Sequence, residues 1–252
     1  MAVKTIPVGI SNRHFHISQT DLEILFGKGY RLSKFRDISQ RGQFAANETV
    51  DVHGPAGKIE KIRIVGPTRS RTQLELSASD AFTLGISPPV RYSGDLDGSA
   101  GATLVGPAGR IELTEGVILP IRHIHMSPAD AKLFGVFDGA RVIVAPSRPA
   151  QFSTRNEPRS LIFDNVLIRI NERFVLDFHI DIDEANASGL KNGDHVKIIG
   201  FSELNKAVPR VGLVTENDVR IAIRKKSKIA IGPNTKITPA AHDLGREHKV
   251  FI

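Results

Sequence analysis

Two histidine pairs in matching surroundings are the residues of this chain best placed to do chemistry. His14 and His16 lie in Arg13-His14-Phe15-His16, and His123 and His125 in Arg122-His123-Ile124-His125. The first pair runs on through Ser18 and Asp21 to Leu25-Phe26-Gly27, the second through Ser127 and Asp130 to Leu133-Phe134-Gly135. Residues two apart in a strand share a face, so each His-x-His projects both imidazoles together. The frame recurs twice more. Aligned without a gap on the second copy, Glu184-Ala185, Gly189, Gly193 and Val196 fall on Asp130-Ala131, Gly135, Gly139 and Val142. In the same way Ser77, Asp80 and Gly85 fall on Ser127, Asp130 and Gly135. His16, Glu75, His125 and His179 then share one position, with Gln73 and Asp177 at the position of His123. His and Glu are both zinc-binding types.

Six ligands exceed what one tetrahedral zinc takes, so two metals are expected. The grouping is His14, His16 and Glu75 for one, and His123, His125 and His179 for the other. Nitrogen and oxygen donors fit zinc without excluding cobalt, nickel or manganese. His53, His195, His242 and His248 lack a partner at ligand spacing and read as structural. Arg69 and Arg71 precede Glu75; their bland reading is a solvated face, their functional one a guanidinium fork for phosphate.

Each frame offers a strand end followed by a helix start: Ser18 with Asp21, Ser77 with Asp80, Ser127 with Pro128 and Asp130, and Asp181 with Glu184. A helix start favours anions, which would put an anion site beside each metal position. Short strand-like runs dominate, punctuated by Gly and Pro. They are 4–10, 48–52, 58–65, 73–76, 102–104, 110–113, 116–122, 141–144, 160–170, 174–180 and 195–199. Short helices are expected at 19–26, 78–84, 128–134 and 183–188. This predicts a mainly β protein: compact β-barrels capped by short helices and built from repeated strand–helix units.

A second repeat, Gly54-Pro55-Ala56-Gly57 and Gly106-Pro107-Ala108-Gly109, reads as two hairpin turns, each followed by an arginine, Arg69 and Arg122. Residues 145–160 read as a polar loop. Residues 1–200 read as the core, with a second barrel from about 46–120, and 201–252 as a small α/β extension. In that extension Thr215 caps a helix to about Lys226, a strand covers 228–231, and Thr238-Pro239 opens a helix to about His248.

A chain of 252 residues can bury a core. It has no membrane-length apolar run and no signal or transit peptide is expected. The absence of cysteine excludes a disulfide framework, a thiol nucleophile and a cysteine-ligated zinc, and makes the cytoplasm the expected location. The net charge of +7 admits nucleic acid, but there is no Trp, only two Tyr and no zinc-finger spacing, so a phosphate-rich small molecule explains it at least as well.

The runs 8–18 and 36–50, Ser87-Pro88-Pro89-Val90-Arg91, Arg122-His123-Ile124-His125-Met126, Leu161-Ile162-Phe163-Asp164-Asn165-Val166 and 178–186 resemble the PduL-type phosphotransacylases. The resemblance covers about residues 5–200. It implies two barrels with a di-metal site, usually zinc, between them, and interconversion of acyl-CoA plus phosphate with acyl phosphate plus CoA. It places the metal ligands at His14, His16, Glu75, His123, His125 and His179, the phosphate arginine at Arg69, and coenzyme A contacts near Ser11, Arg36, Arg63 and Asn186. The segments 214–220 and 237–241 resemble bacterial microcompartment-associated proteins. They imply work in or beside a microcompartment, with shell or cargo proteins as partners. Self-association into a homo-oligomer stays open, as does the acyl chain, acetyl or propanoyl. The mechanism expected is direct attack of phosphate on the thioester. Two alternatives are a metal-dependent thioester hydrolase and a non-catalytic, zinc-stabilised scaffold.

Overall fold

A computed structural model describes residues 4–147, 160–202, 213–224, 228–229, 231 and 235–251. The loop expected at 145–160 and the boundary near 201–212 lie largely outside these residues. The described residues form two closed six-stranded β-barrels and a small C-terminal unit.

The first barrel has the strand order β1(Ile6–Ser11), β13(Asp177–Asp181), β10(His123–Met126), β12(Phe163–Ile170), β11(Arg141–Pro146) and β14(His195–Phe201). The second contains β2(His14–His16), β4(Phe44–His53), β5(Lys58–Gly66), β6(Gln73–Glu75), β8(Ala100–Val105) and β9(Arg110–Pro120). It closes where β8 pairs with both β4 and β9, while β3(Lys34–Asp37) and β7(Val90–Arg91) extend its edges. It therefore takes in the first histidine pair, well upstream of the 46–120 segment. Each barrel has its own core. One holds Ile6, Ile124, Phe163 and Phe178; the other Phe15, Leu22, Ile64 and Leu104. Full burial of one such side chain stabilises by about 1.5–3 kcal/mol.

All four frames fold alike. The helices α1(Gln19–Phe26), α2(Ala78–Leu84), α3(Pro128–Phe134) and α4(Ile182–Ser188) each follow an extended N-cap, Ser18, Ser77, Ser127 or Asp181, that accepts a hydrogen bond from the backbone of the residue three later. Gly85, Gly135 and Gly189 end α2, α3 and α4 in the left-handed conformation that glycine adopts without a Cβ penalty. The first copy, one residue longer, ends instead at Gly27 with φ 109°. The starts of α2, α3 and α4 are already filled. Asp80, Asp130 and Glu184 fold back onto the N-cap backbone, and Arg13 and Arg122 pair with Asp80 and Glu184 at 2.7 and 2.8 Å. An anion approaching the starts of α2, α3 or α4 would meet an acidic side chain already in place.

The repeated Gly-Pro-Ala-Gly turns have a packing reason. Ala56 N donates to Leu84 O at the end of α2, and Ala108 N to Leu25 O at the end of α1. A Cβ on Gly54 would lie 2.2 Å from Leu84 O, and one on Gly106 2.5 Å from Leu25 O. Gly54→Ala and Gly106→Ala should each cost about 1–3 kcal/mol, read as a lower urea midpoint with far-UV signal retained at zero denaturant.

Several strand limits differ from those expected. The runs 110–113 and 116–122 are one strand, β9, kinked at Gly116 (φ 126°), where a Cβ would meet Thr72 O at 2.8 Å. The run 174–180 starts at Asp177, because Phe174 closes a turn onto Asn171. In the C-terminal unit, β15(Leu213–Val214) and β16(Lys236–Ile237) pair in parallel, and α5(Glu216–Arg224) packs on α6(Pro239–Glu247) around Val214, Val219 and Ala241. Of the strand expected at 228–231, the described residues show a single bridge, Ile229 to Phe251. No helix among the described residues is long and apolar enough to cross a membrane.

Candidate metal centre

Strand register builds two matching triads. β2 runs antiparallel to β6, setting His14 opposite Glu75 and His16 opposite Gln73. β10 runs antiparallel to β13, setting His123 opposite His179 and His125 opposite Asp177. The frame alignment, which put His16 on Glu75 and His125 on His179, thus becomes a pseudo-twofold relation between paired strands. Within each triad, one ligand atom per residue lies within 4.8 Å of the others. His14 Nε2 is 3.2 Å from His16 Nε2 and 3.7 Å from Glu75 Oε2; His16 Nε2 is 3.9 Å from Glu75 Oε1.

The ring orientations repeat as well. His14 Nδ1 donates to Asn12 O and His123 Nδ1 to Ile121 O, both at 2.8 Å and both to the carbonyl two residues back. His16 Nδ1 donates to Val65 O at 3.2 Å. These bonds select the tautomer whose Nε2 lone pair is free for a cation. His123 Nε2 and His125 Nδ1 are buried without a hydrogen-bond partner, an expensive arrangement unless something binds there. The donor sets of both triads fit a divalent metal, and the orphaned nitrogens add to the fit of the second. Asp177 Oδ2 lies 3.0 Å from His179 Nε2, and Gln73 Nε2 donates to Glu75 Oε1 at 2.5 Å. The two positions aligned with His123 thus support the ligands beside them.

Burial holds the imidazoles neutral, as metal binding requires. His16 is pushed well below its ordinary value by desolvation, then by His14 and Arg69. His123 falls to about 3, through desolvation and then His179. His125 is depressed by desolvation, then by His123 and His179. For groups with lowered folded pKa values, stability is complete above the unfolded value of 6.5 and is lost as pH falls towards the folded values. The metal-free protein should therefore show a melting temperature that declines between pH 6.5 and about 3. A flat profile over that window would mean these rings are not buried neutral.

Both triads line one cleft of about 930 Å³, together with Ser11, Arg36, Arg63 and Arg69. Arg69 is mostly buried. Its backbone N donates to Ile17 O, just beyond His16, and its Nη1 to Ser93 Oγ at 3.1 Å. Ser93 also accepts from Gln73 Nε2 at 2.9 Å. Arg63 lines the cleft but donates to Ala46 O at 2.5 Å and lies 4.9 Å over Phe35. Arg36 is exposed on β3. Asn186 is exposed on α4 and outside the cleft lining. Arg71 is engaged elsewhere, with Asp97 at 2.8 Å and Glu115 at 2.5 Å, which favours its bland reading. Arg122, the hairpin-repeat counterpart of Arg69, pairs with Glu184 and does not line the cleft. Sequence reasoning missed Arg169, which stands opposite His125 on β12, and Phe174, whose ring centroid is 4.1 Å from that of His125. It also missed Gln40, whose side chain clamps both backbone groups of Val175 and ties the two barrels together.

The model of the phosphate propanoyltransferase family matches residues 7–191. The chain belongs to that family. Phosphate propanoyltransferase of Thermotoga maritima is 50% identical over 198 residues, covering 78% of this chain and 90% of its own. That of Rhodobacter capsulatus is 48% identical, covering 77% and 86%, and that of Lachnoclostridium phytofermentans 47%, covering 77% and 87%. Membership makes this chain a transferase. The matched span holds every residue of both triads and ends before the C-terminal unit.

Proposed function

We propose that this phosphate propanoyltransferase family member interconverts acyl-CoA plus inorganic phosphate with acyl phosphate plus CoA, at a di-metal site in the cleft. The observation that carries the reading is two triads of three donors, each leaving room for substrate, facing one cleft with an arginine, Arg69, that has no carboxylate within ion-pair distance among the described residues. A divalent ion such as zinc, held by His14, His16 and Glu75 or by His123, His125 and His179, would supply Lewis acidity and lower the pKa of a thiol beside it.

The chain's own residues do the rest. Arg69, oriented by Ser93, holds phosphate with an oxygen towards the thioester carbonyl carbon. The C–O bond forms as the C–S bond breaks, the thiolate leaving with the electron pair. With no cysteine and no evident Ser-His-Asp set to form an acyl-enzyme, direct attack is the simpler route in this reading. Ser11, Arg36 and Arg63 on the cleft wall suit the coenzyme's phosphates, and Asn186, exposed on α4, is a further candidate contact. Acetyl and propanoyl groups both fit this scheme. The C-terminal unit, with its own core, serves in this reading to associate with microcompartment shell or cargo proteins.

The test is thiol release from acetyl-CoA and propanoyl-CoA by metal-loaded protein, with and without phosphate. Phosphate-dependent release with equimolar acyl phosphate is expected. Equal release without phosphate would make the enzyme a hydrolase, and no release with both metals bound would leave the metals structural.

A further inference from the structure

Arg169 lines the cleft as a cation with no ion-pair partner among the described residues. It stands on β12, which runs parallel to β10 and sets Arg169 directly opposite His125. β5 flanks β2 in the same parallel manner, so each histidine pair has an arginine on the strand beside it: Arg63 opposite His14, Arg169 opposite His125. The two are treated differently. Arg63 is committed to the Ala46 carbonyl. Among the described residues, the Arg169 guanidinium makes no hydrogen bond and has no carboxylate within 4 Å, and it lies 5.7 Å from the centroid of the Phe174 ring. An aromatic face holds a guanidinium in place while leaving its N–H donors free. Phe174 also packs on His125, so one ring positions both the metal ligand and the cation.

Arg69 approaches the same cleft from the other barrel and, among the described residues, is likewise without an ion-pair partner. Two half-buried guanidiniums facing one space repel each other until an anion lies between them. An oxyanion offers that charge in a form each fork can bind with two parallel hydrogen bonds.

We propose that Arg169 is a second binding residue for the transferred phosphate, closing on the oxyanion from the His123–His125–His179 side while Arg69 closes from the other. The proposal deepens the acyltransferase reading and rests on it for the identity of the anion. It assigns Arg169 to orthophosphate and acyl phosphate, and not to the phosphates of coenzyme A.

Metal-loaded wild type, Arg169→Gln and Arg169→Lys would be titrated with orthophosphate by calorimetry without coenzyme A, and phosphate and acyl-CoA KM values measured separately. In Arg169→Gln, phosphate affinity should fall and phosphate KM rise at least about tenfold, as loss of a buried charge-assisted pair implies. Acyl-CoA KM and metal content should stay within about twofold, well short of the loss that a broken metal shell causes. Arg169→Lys keeps the charge without the fork and should fall between. Unchanged phosphate binding in both variants would overturn the proposal. So would a rise confined to acyl-CoA KM, which would assign Arg169 to the coenzyme, or metal loss in both, which would make it structural. Wild type that binds phosphate through Arg169 yet transfers no acyl group would sink the acyltransferase reading and leave this inference standing.

Discussion

His125→Ala is expected to remove one of two bound metals and to lower phosphate-dependent thiol release by more than about a hundredfold, since outer-shell changes at metal sites already cost 10–100-fold. His125 is buried, its Nδ1 has no protein partner, and its ring is braced by Phe174. Alanine leaves His123 and His179, two donors where a divalent ion needs three with an open position. The His14–His16–Glu75 triad is on the other barrel and should keep its ion, so metal analysis should read one per chain. The same variant should be less acid-sensitive without metal, because one buried neutral imidazole is gone. Far-UV dichroism would show that the barrels stand, and His53→Ala serves as a control with both metals and full activity. Full activity in a His125→Ala chain that has lost its metal would end the metal proposal.

Arg69→Ala should act differently, lowering kcat/KM for phosphate by about 10²–10³ while both metals remain, the scale of removing one oriented donor from a developing oxyanion. Arg69 touches no triad atom within hydrogen-bonding distance; it is tethered through Ser93 and its own backbone. Desolvation lowers its pKa, Glu75 opposes this, and the like charge of Arg169 adds to it, so an anion bound there would offset the cost of burying the guanidinium. Measuring kcat against phosphate concentration separates binding from turnover, and metal analysis separates both from a structural role. Loss of metal in Arg69→Ala would show that the arginine holds the triad together instead.

What the amino-acid order determines here is whatever depends on a few neighbouring residues. The four N-caps, the left-handed glycines, the His-x-His faces and the helix limits at 19–26, 78–84 and 128–134 all follow from rules spanning one turn or one pleat. The members of the two His/Glu clusters were also legible, because one frame recurs four times with His or Glu at one position in each and the His-x-His pairs add His14 and His123.

Only tertiary structure decided which arginines face the cleft. Arg122 lies at nearly the distance of Arg69 after its hairpin, yet it turns to Glu184. Arg169 carries no motif, yet parallel pairing of β12 with β10 brings it beside His125. That register joins strands separated by α3 and β11, and a slip of one residue would turn Arg169 to the opposite face. Barrel closure selects the register by summing many distant backbone pairings, and no local run of residues contains that sum.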